Sequence, residues 1–133
     1  MRNVLAAIAF ASVLAAPVAS AQTRATQQQN LERFEKYAGA PIDEFEFFSL
    51  YKWQLVGPEK VVVWSTINDA YLITVEKPCP GLEFARGIAV TSKQRHIVSA
   101  KFDEVTYGKG RCEIAQIRPV DYRQMLKDGP DAR

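Results

Sequence analysis

Cys79 and Cys112 are the only cysteines in this chain, and whether they are joined constrains its fold more than any other feature. Most of the recognisable pattern sits around them: Pro78-Cys79-Pro80-Gly81-Leu82 at one end, Arg111-Cys112-Glu113-Ile114 at the other. How the pair reads depends on compartment. Met1-Arg2-Asn3 is a short basic start, residues 4–16 are small or apolar, and Ala19-Ser20-Ala21 has the small-x-small form of a signal-peptidase site. This predicts a secretory signal peptide over residues 1–21, cleaved before Gln22. A membrane span would need about 20 apolar residues, and Pro17 ends the run short of that. In an oxidising compartment, two cysteines read as a disulfide rather than a site. The competing readings are weaker. Redox pairs are usually spaced Cys-x-x-Cys, and a zinc site takes about four ligands, which a single histidine cannot complete. On the chain-entropy model, closing the loop from 79 to 112 contributes about 4 kcal/mol.

Residues 22–133 suffice for one domain and are too few for two ordinary ones. With 17 Lys plus Arg against 15 Asp plus Glu, the formal charge is +2, and the signs alternate along the chain. Phosphate-backbone binding relies on clustered basic residues, so nucleic acid is not an expected partner.

Residues 22–40 read as a flexible N-terminal segment, unstructured over 22–30, with a short helix over about residues 27–38. In that helix Leu31, Phe34 and Ala38 share a face, and Gly39 supplies the stop. A single disulfide-stapled, β-rich domain is expected over residues 41–128. Phe45, Phe47, Tyr51 and Trp53 share one parity, but Phe47-Phe48 blurs it, predicting one bent strand or two short ones. Gly57-Pro58-Glu59 is a turn. Val61-Val62-Val63-Trp64 is apolar on both faces, as in a central strand covered twice. Residues 70–75 form the next strand, with Tyr71, Ile73 and Val75 inward. The prolines and glycine around Cys79 force a turn. Residues 82–86 read as one helical turn with Leu82 and Phe84 inward. Short strands follow at 88–91, 97–100 and 105–107, and Gly108-Lys109-Gly110 is the clearest hairpin turn. Residues 111–117 are the last strand, with Cys112 and Ile114 on one face and Ala115 and Ile117 on the other, stopped by Pro119. Asp121 caps a closing helix whose inward stripe is Tyr122, Met125 and Leu126. The fold class is mainly β, a β-rich α+β domain: a small curled antiparallel sheet or barrel with short terminal helices.

Motifs for chemistry are sparse. No zinc-protease helix, calcium loop, phosphate-binding loop or dinucleotide fingerprint is present, so no metal, cofactor or catalytic residue is expected. His96 is the sole histidine and lies in a polar link, where it reads as a turn residue rather than a general base. Asp103-Glu104 are neighbours and would point to opposite faces of a strand. Arg86, beside the cysteine turn, is paired in expectation with a buried Asp103 as a structural ion pair. Arg118 is read as pairing with Asp121 or with a carboxylate on a neighbouring strand. Among the aromatics, Trp53 and Tyr107 are the candidate ligand or partner contacts, while Trp64 is core.

Several residues also carry a resemblance. They are Trp53…Leu55-x-Gly57, Val62-Val63-Trp64, Tyr71-Leu72, Pro78-Cys79-Pro80-Gly81-Leu82, Ile88, Phe102-Asp103 and Cys112-x-Ile114-x-x-Ile117-Arg118-Pro119-x-Asp121. The set resembles an uncharacterised family of small secreted or lipid-anchored proteins from proteobacteria. The resemblance implies export in a Gram-negative cell and a cysteine pair shared across the family, and it brings no activity. The lipidation cysteine of anchored members is missing, which implies a soluble periplasmic form. The expected function is a non-enzymatic periplasmic binding or cell-envelope-associated module. Its partner would be an envelope protein, a glycan or a small apolar ligand. The alternative is a small periplasmic hydrolase, which would need Arg86, Asp103 or His96 to converge in an apolar groove.

Overall fold

Five consecutive residues, Lys60–Trp64 (β3), explain the two-sided core. Successive strand side chains alternate between faces, and here both faces are covered. Val61 and Val63 turn toward one cluster, with Phe45, Ile73, Val98, Val105, Ile114 and Ile117. Val62 and Trp64 turn toward a second, with Phe34, Val56, Leu72, Val120 and Met125. The computed structural model describes residues 19–129, with side chains from Arg24 onward. Most of the leader read in residues 1–21 lies outside them.

Around β3 runs a curled, antiparallel half-barrel of six strands. In chain order the remaining strands are β1 (Glu44–Glu46), β2 (Lys52–Gly57), β4 (Ala70–Val75), β5 (Ala89–Val90), β6 (Ile97–Ser99), β7 (Glu104–Tyr107) and β8 (Gly110–Val120). The sheet order is β2-β3-β4-β8-β7-β5, and β1 pairs with β6 in a separate two-stranded sheet. Of the two readings of residues 44–54, two short strands is the one found, but they do not meet near Phe48: β1 and β2 belong to different sheets. Phe45 lies opposite Val98 in the small pair, stacks on Tyr71 at 4.0 Å, and helps fill the inner face of the half-barrel.

Two bulges bend the long sheet. One falls between Leu55 and Gly57, where β2 carries an extra residue. The other falls between Thr74 and Val75, whose partners are Gln116 and Ile114, so Ala115 is the extra residue of β8. A bulge increases local twist and re-aims the residues after it. This corrects the expectation that Ile114 and Ile117 face opposite ways, since both join the inner cluster with Cys112. Pro119 does not stop the strand either. It pairs opposite Tyr71, and its carbonyl accepts from Gly39 N–H at 2.8 Å, so the ladder continues to Val120.

Helix α1 (Ala19–Lys36) begins earlier than residue 27. Residues 22–30, expected to lack structure, are helical: they hold no proline or glycine, and Gln, Ala and Arg favour helix. Leu31 and Phe34 pack this helix over Trp64, with the Phe34 ring edge-on at 5.8 Å. The short α2 (Tyr122–Asp128) is capped as expected, Asp121 Oδ1 accepting from Gln124 N–H at 3.2 Å. Met125 is buried there, but Leu126 is exposed. No helix among the described residues is long and apolar enough to cross a membrane.

Candidate functional site

β8 places the candidate site because its two halves have different neighbours. Residues 110–113 pair with β7, and the stretch beyond pairs with β4. Cys112 therefore lies near the exit of β4, and the turn after Val75 brings Cys79 beside it. The two form a disulfide with Cα atoms 5.9 Å apart, which bears out the expected pairing and the expected closeness of the last strand to the β4 exit.

Tyr107 covers this bridge. Its hydroxyl donates to Pro80 O at 2.7 Å and lies 3.4 Å and 3.5 Å from the Cys79 and Cys112 sulfurs. Both cysteines are buried. Next to the covered bridge is a shallow groove between the turn at 80–87 and the tip of the β7–β8 hairpin, with Phe84, Arg86, Tyr107 and Lys109 among its lining. Phe84 is 74% exposed, which overturns the inward orientation expected for it. The single 3-10 turn of Leu82–Phe84 explains the difference. It buries Leu82, and in so short a turn Phe84, two residues on, faces away. Gly81, with φ +86°, adopts the left-handed conformation that starts the turn.

The expected ion pair between Arg86 and Asp103 does not form. Asp103 is only 1% exposed, yet its partners are local. Oδ1 accepts from Thr91 Oγ1–H and Lys93 N–H, each at 2.9 Å, and Oδ2 accepts from Ser99 N–H at 2.7 Å. Backbone and hydroxyl donors satisfy the carboxylate, so it needs no cation. Arg86 is exposed on the groove. Arg118 likewise forms no pair with Asp121; its guanidinium donates to the carbonyls of Gly39 and Ala38 at 2.9 and 3.3 Å.

His96 sits elsewhere, at one end of the β1–β6 pair. It is exposed, its φ is +60°, and its ring stacks on that of exposed Phe48 at 4.5 Å. Arg95 Nε–H donates to its Nε2 at 3.3 Å. Arg86, His96 and Asp103 thus occupy three separate places. Trp53 is half-buried against the inner core, whereas Tyr107, the other candidate contact, does line the groove.

Among the described residues three groups titrate away from their ordinary values, and none lines the groove. Tyr71 is raised, first by burial and then by Asp69. Tyr37 is raised chiefly by its hydrogen bond to Asp128, and the same bond chiefly lowers Asp128. No group of three or more His, Cys, Asp and Glu able to hold a metal occurs among the described residues.

Phe84 and Lys109 were not singled out by sequence reasoning. The available signal was a phenylalanine in a short turn bounded by Gly81 and Gly87, too brief to bury every apolar residue it holds. A family model described as "Family of unknown function (DUF6491)" matches residues 1–133. No curated protein and no solved structure matches the chain.

Proposed function

The chain belongs to this family of unknown function, and we propose that it is a non-enzymatic binding module that works at the cell envelope after export. One observation carries the reading: the inner face of the half-barrel is filled, while an aromatic and cationic groove stands open on its disulfide-stapled rim. A catalytic site needs its acid, base or nucleophile within hydrogen-bond reach of one another or of a shared substrate. The polar groups most able to serve are dispersed, and Asp103 already accepts three hydrogen bonds. A large exposed side chain such as Phe84, by contrast, suits contact with a partner. Export is supported by the basic start, the apolar run and Ala19-Ser20-Ala21, together with a disulfide that requires an oxidant.

Two measurements test this reading. In producing cells, Phe84→p-benzoylphenylalanine should give a discrete light-dependent adduct in the periplasmic or envelope fraction, and the intact mass of that material should begin at Gln22. The purified protein should turn over no ester, phosphate or glycoside substrate. Turnover abolished by His96→Ala would overturn the reading.

A further inference from the structure

Resting on the binding-module reading, we propose that the groove beside the disulfide takes an acidic peptide segment carrying an apolar side chain. The argument begins with what the lining lacks. It contains Arg86 and Lys109 but no Asp, Glu, Asn, Gln, Ser, Thr or His. Its only side-chain oxygen is the Tyr107 phenol, whose proton already goes to Pro80 O. The side chains of the groove therefore offer donors, and a ligand must bring acceptors to meet them.

That selects among ligand classes. A neutral glycan brings hydroxyls that donate as well as accept, and carboxylate or carboxamide partners for them are missing from the lining; unpaired polar groups weaken binding. A membrane surface calls for a dense basic patch or a lipid chain, and this chain has a net charge of only +2 with alternating signs. Peptide carboxylates complement both cations in charge, and the Arg86 guanidinium can donate to one in a two-pronged geometry. Phe84, 74% exposed, offers a flat apolar surface for the segment's own apolar residue.

The lining suits a peptide backbone as well. Gly81, Gly87, Gly108 and Gly110 all line the groove. A Cβ added at Gly87 or at Gly108 would meet nothing within 4 Å, so there is open space above both. Bare backbone beside open space lets a second main chain approach closely.

The test is fluorescence anisotropy of the purified full-length protein with a labelled peptide of repeating Glu-Phe-Glu, and with its Lys-Phe-Lys counterpart. The acidic peptide should bind saturably and the basic one should not. The double variant Arg86→Glu/Lys109→Glu should weaken binding about tenfold or more, a loss of about 1.4 kcal/mol, and Phe84→Ala should weaken it too. Phe48→Ala, outside the groove, should leave it unchanged. Unfolding midpoints of the variants show whether each still folds. If the acidic peptide binds no better than the basic one, or if Phe48→Ala is the change that abolishes binding, the proposal is overturned. Saturable binding of an oligogalacturonide or of phosphatidylglycerol vesicles in place of the peptide overturns the peptide as occupant, yet leaves the binding-module reading standing. Turnover of a hydrolase substrate removes that reading as well.

Discussion

The ring of Tyr107 occupies the space that a side chain on Gly110 would need: a Cβ built there would lie 2.6 Å from two ring carbons. The glycine that closes the β7–β8 hairpin therefore also lets the ring lie down over the disulfide. Gly110→Ala should lift the ring, break its hydrogen bond to Pro80 and cost about 1–3 kcal/mol, the usual range for overpacking. Tyr107→Phe keeps the ring and loses the bond, at about 1 kcal/mol. The kinetic consequence separates the two. Thiol–disulfide exchange depends on access to sulfur, so reduction by dithiothreitol should speed up in Gly110→Ala and Tyr107→Ala and change little in Tyr107→Phe. Equal reduction rates in all four proteins would rule out a shielding role for the ring.

Asp103 supports the loop that leads into β7. Replacing it with Ala leaves Lys93 N–H, Ser99 N–H and the Thr91 hydroxyl without their acceptor. Ser99 N–H is buried and the other two donors are only part-buried, so the loss should cost about 1–3 kcal/mol. Arg86→Ala, at an exposed position, should stay within about 0.5 kcal/mol. Because the two residues do not interact, the double variant should be additive in denaturant unfolding. A coupling energy above about 0.5 kcal/mol would show that they are paired after all.

How much of this was legible in the sequence depends on range. β3 and β4 were readable because β-branched runs between turn residues carry both strand identity and limits. The Asp121 cap and the Gly108-Lys109 turn were local in the same sense. The cysteine pairing was readable because there was only one way to pair them. What was missed required knowledge of neighbours. Nothing within residues 44–54 says that β1 leaves for β6, because that depends on the curl of the large sheet. The bulge at Ala115 flips Ile117 inward, and a period-2 reading has no means of placing an extra residue. Pro119 stays in the strand because segment 38–42 arrives beside it, with Gly39 donating to its carbonyl. At the groove, the cysteine turn and Tyr107 were visible in advance. Exposure of Phe84 was not, since an apolar residue beside a buried Leu82 gives no sign of its direction.

Tyr37 and Asp128 join the end of α1 to the end of α2, and the shifts of both groups give this contact a pH dependence at each extreme. Asp128 is held below its ordinary 3.8, first by the Tyr37 hydrogen bond and then by that of Gln124. A carboxylate lowered in the fold contributes stability above its unfolded pKa and loses it as pH falls through the folded value. Tyr37 is raised above 10.0, so its contribution is complete below that value and is lost as pH rises through the folded one. The contact should therefore hold across the neutral range, begin to weaken only as pH falls below 3.8 or rises above 10.0, and fail at the folded values beyond those limits. In Asp128→Asn, the Tyr37 titration followed by NMR should move down toward the ordinary tyrosine value. An unchanged midpoint would mean that Asp128 is not its cause.

Loss of the disulfide should act unevenly across the molecule. The bond joins residues 33 positions apart, and the loop it closes contains β5, β6 and β7, the three shortest strands apart from β1. That loop supplies Leu82, Val98 and Val105 to the inner core, and β5 is only two residues long at one edge of the sheet. β3 and β4 have no comparable dependence, since both faces of β3 are packed and β4 lies between β3 and β8. Cys79→Ser/Cys112→Ser should lower unfolding stability by about 2–4 kcal/mol, read from the denaturant midpoint at constant slope. Amide exchange should then locate the loss. Protection should fall first in residues 89–107, and only near global unfolding in β3 and β4. Uniform loss of protection would show that the bond holds the whole domain rather than one side of it. A cost below about 1 kcal/mol would show that the Tyr107 ring and the inner core already hold the loop without it.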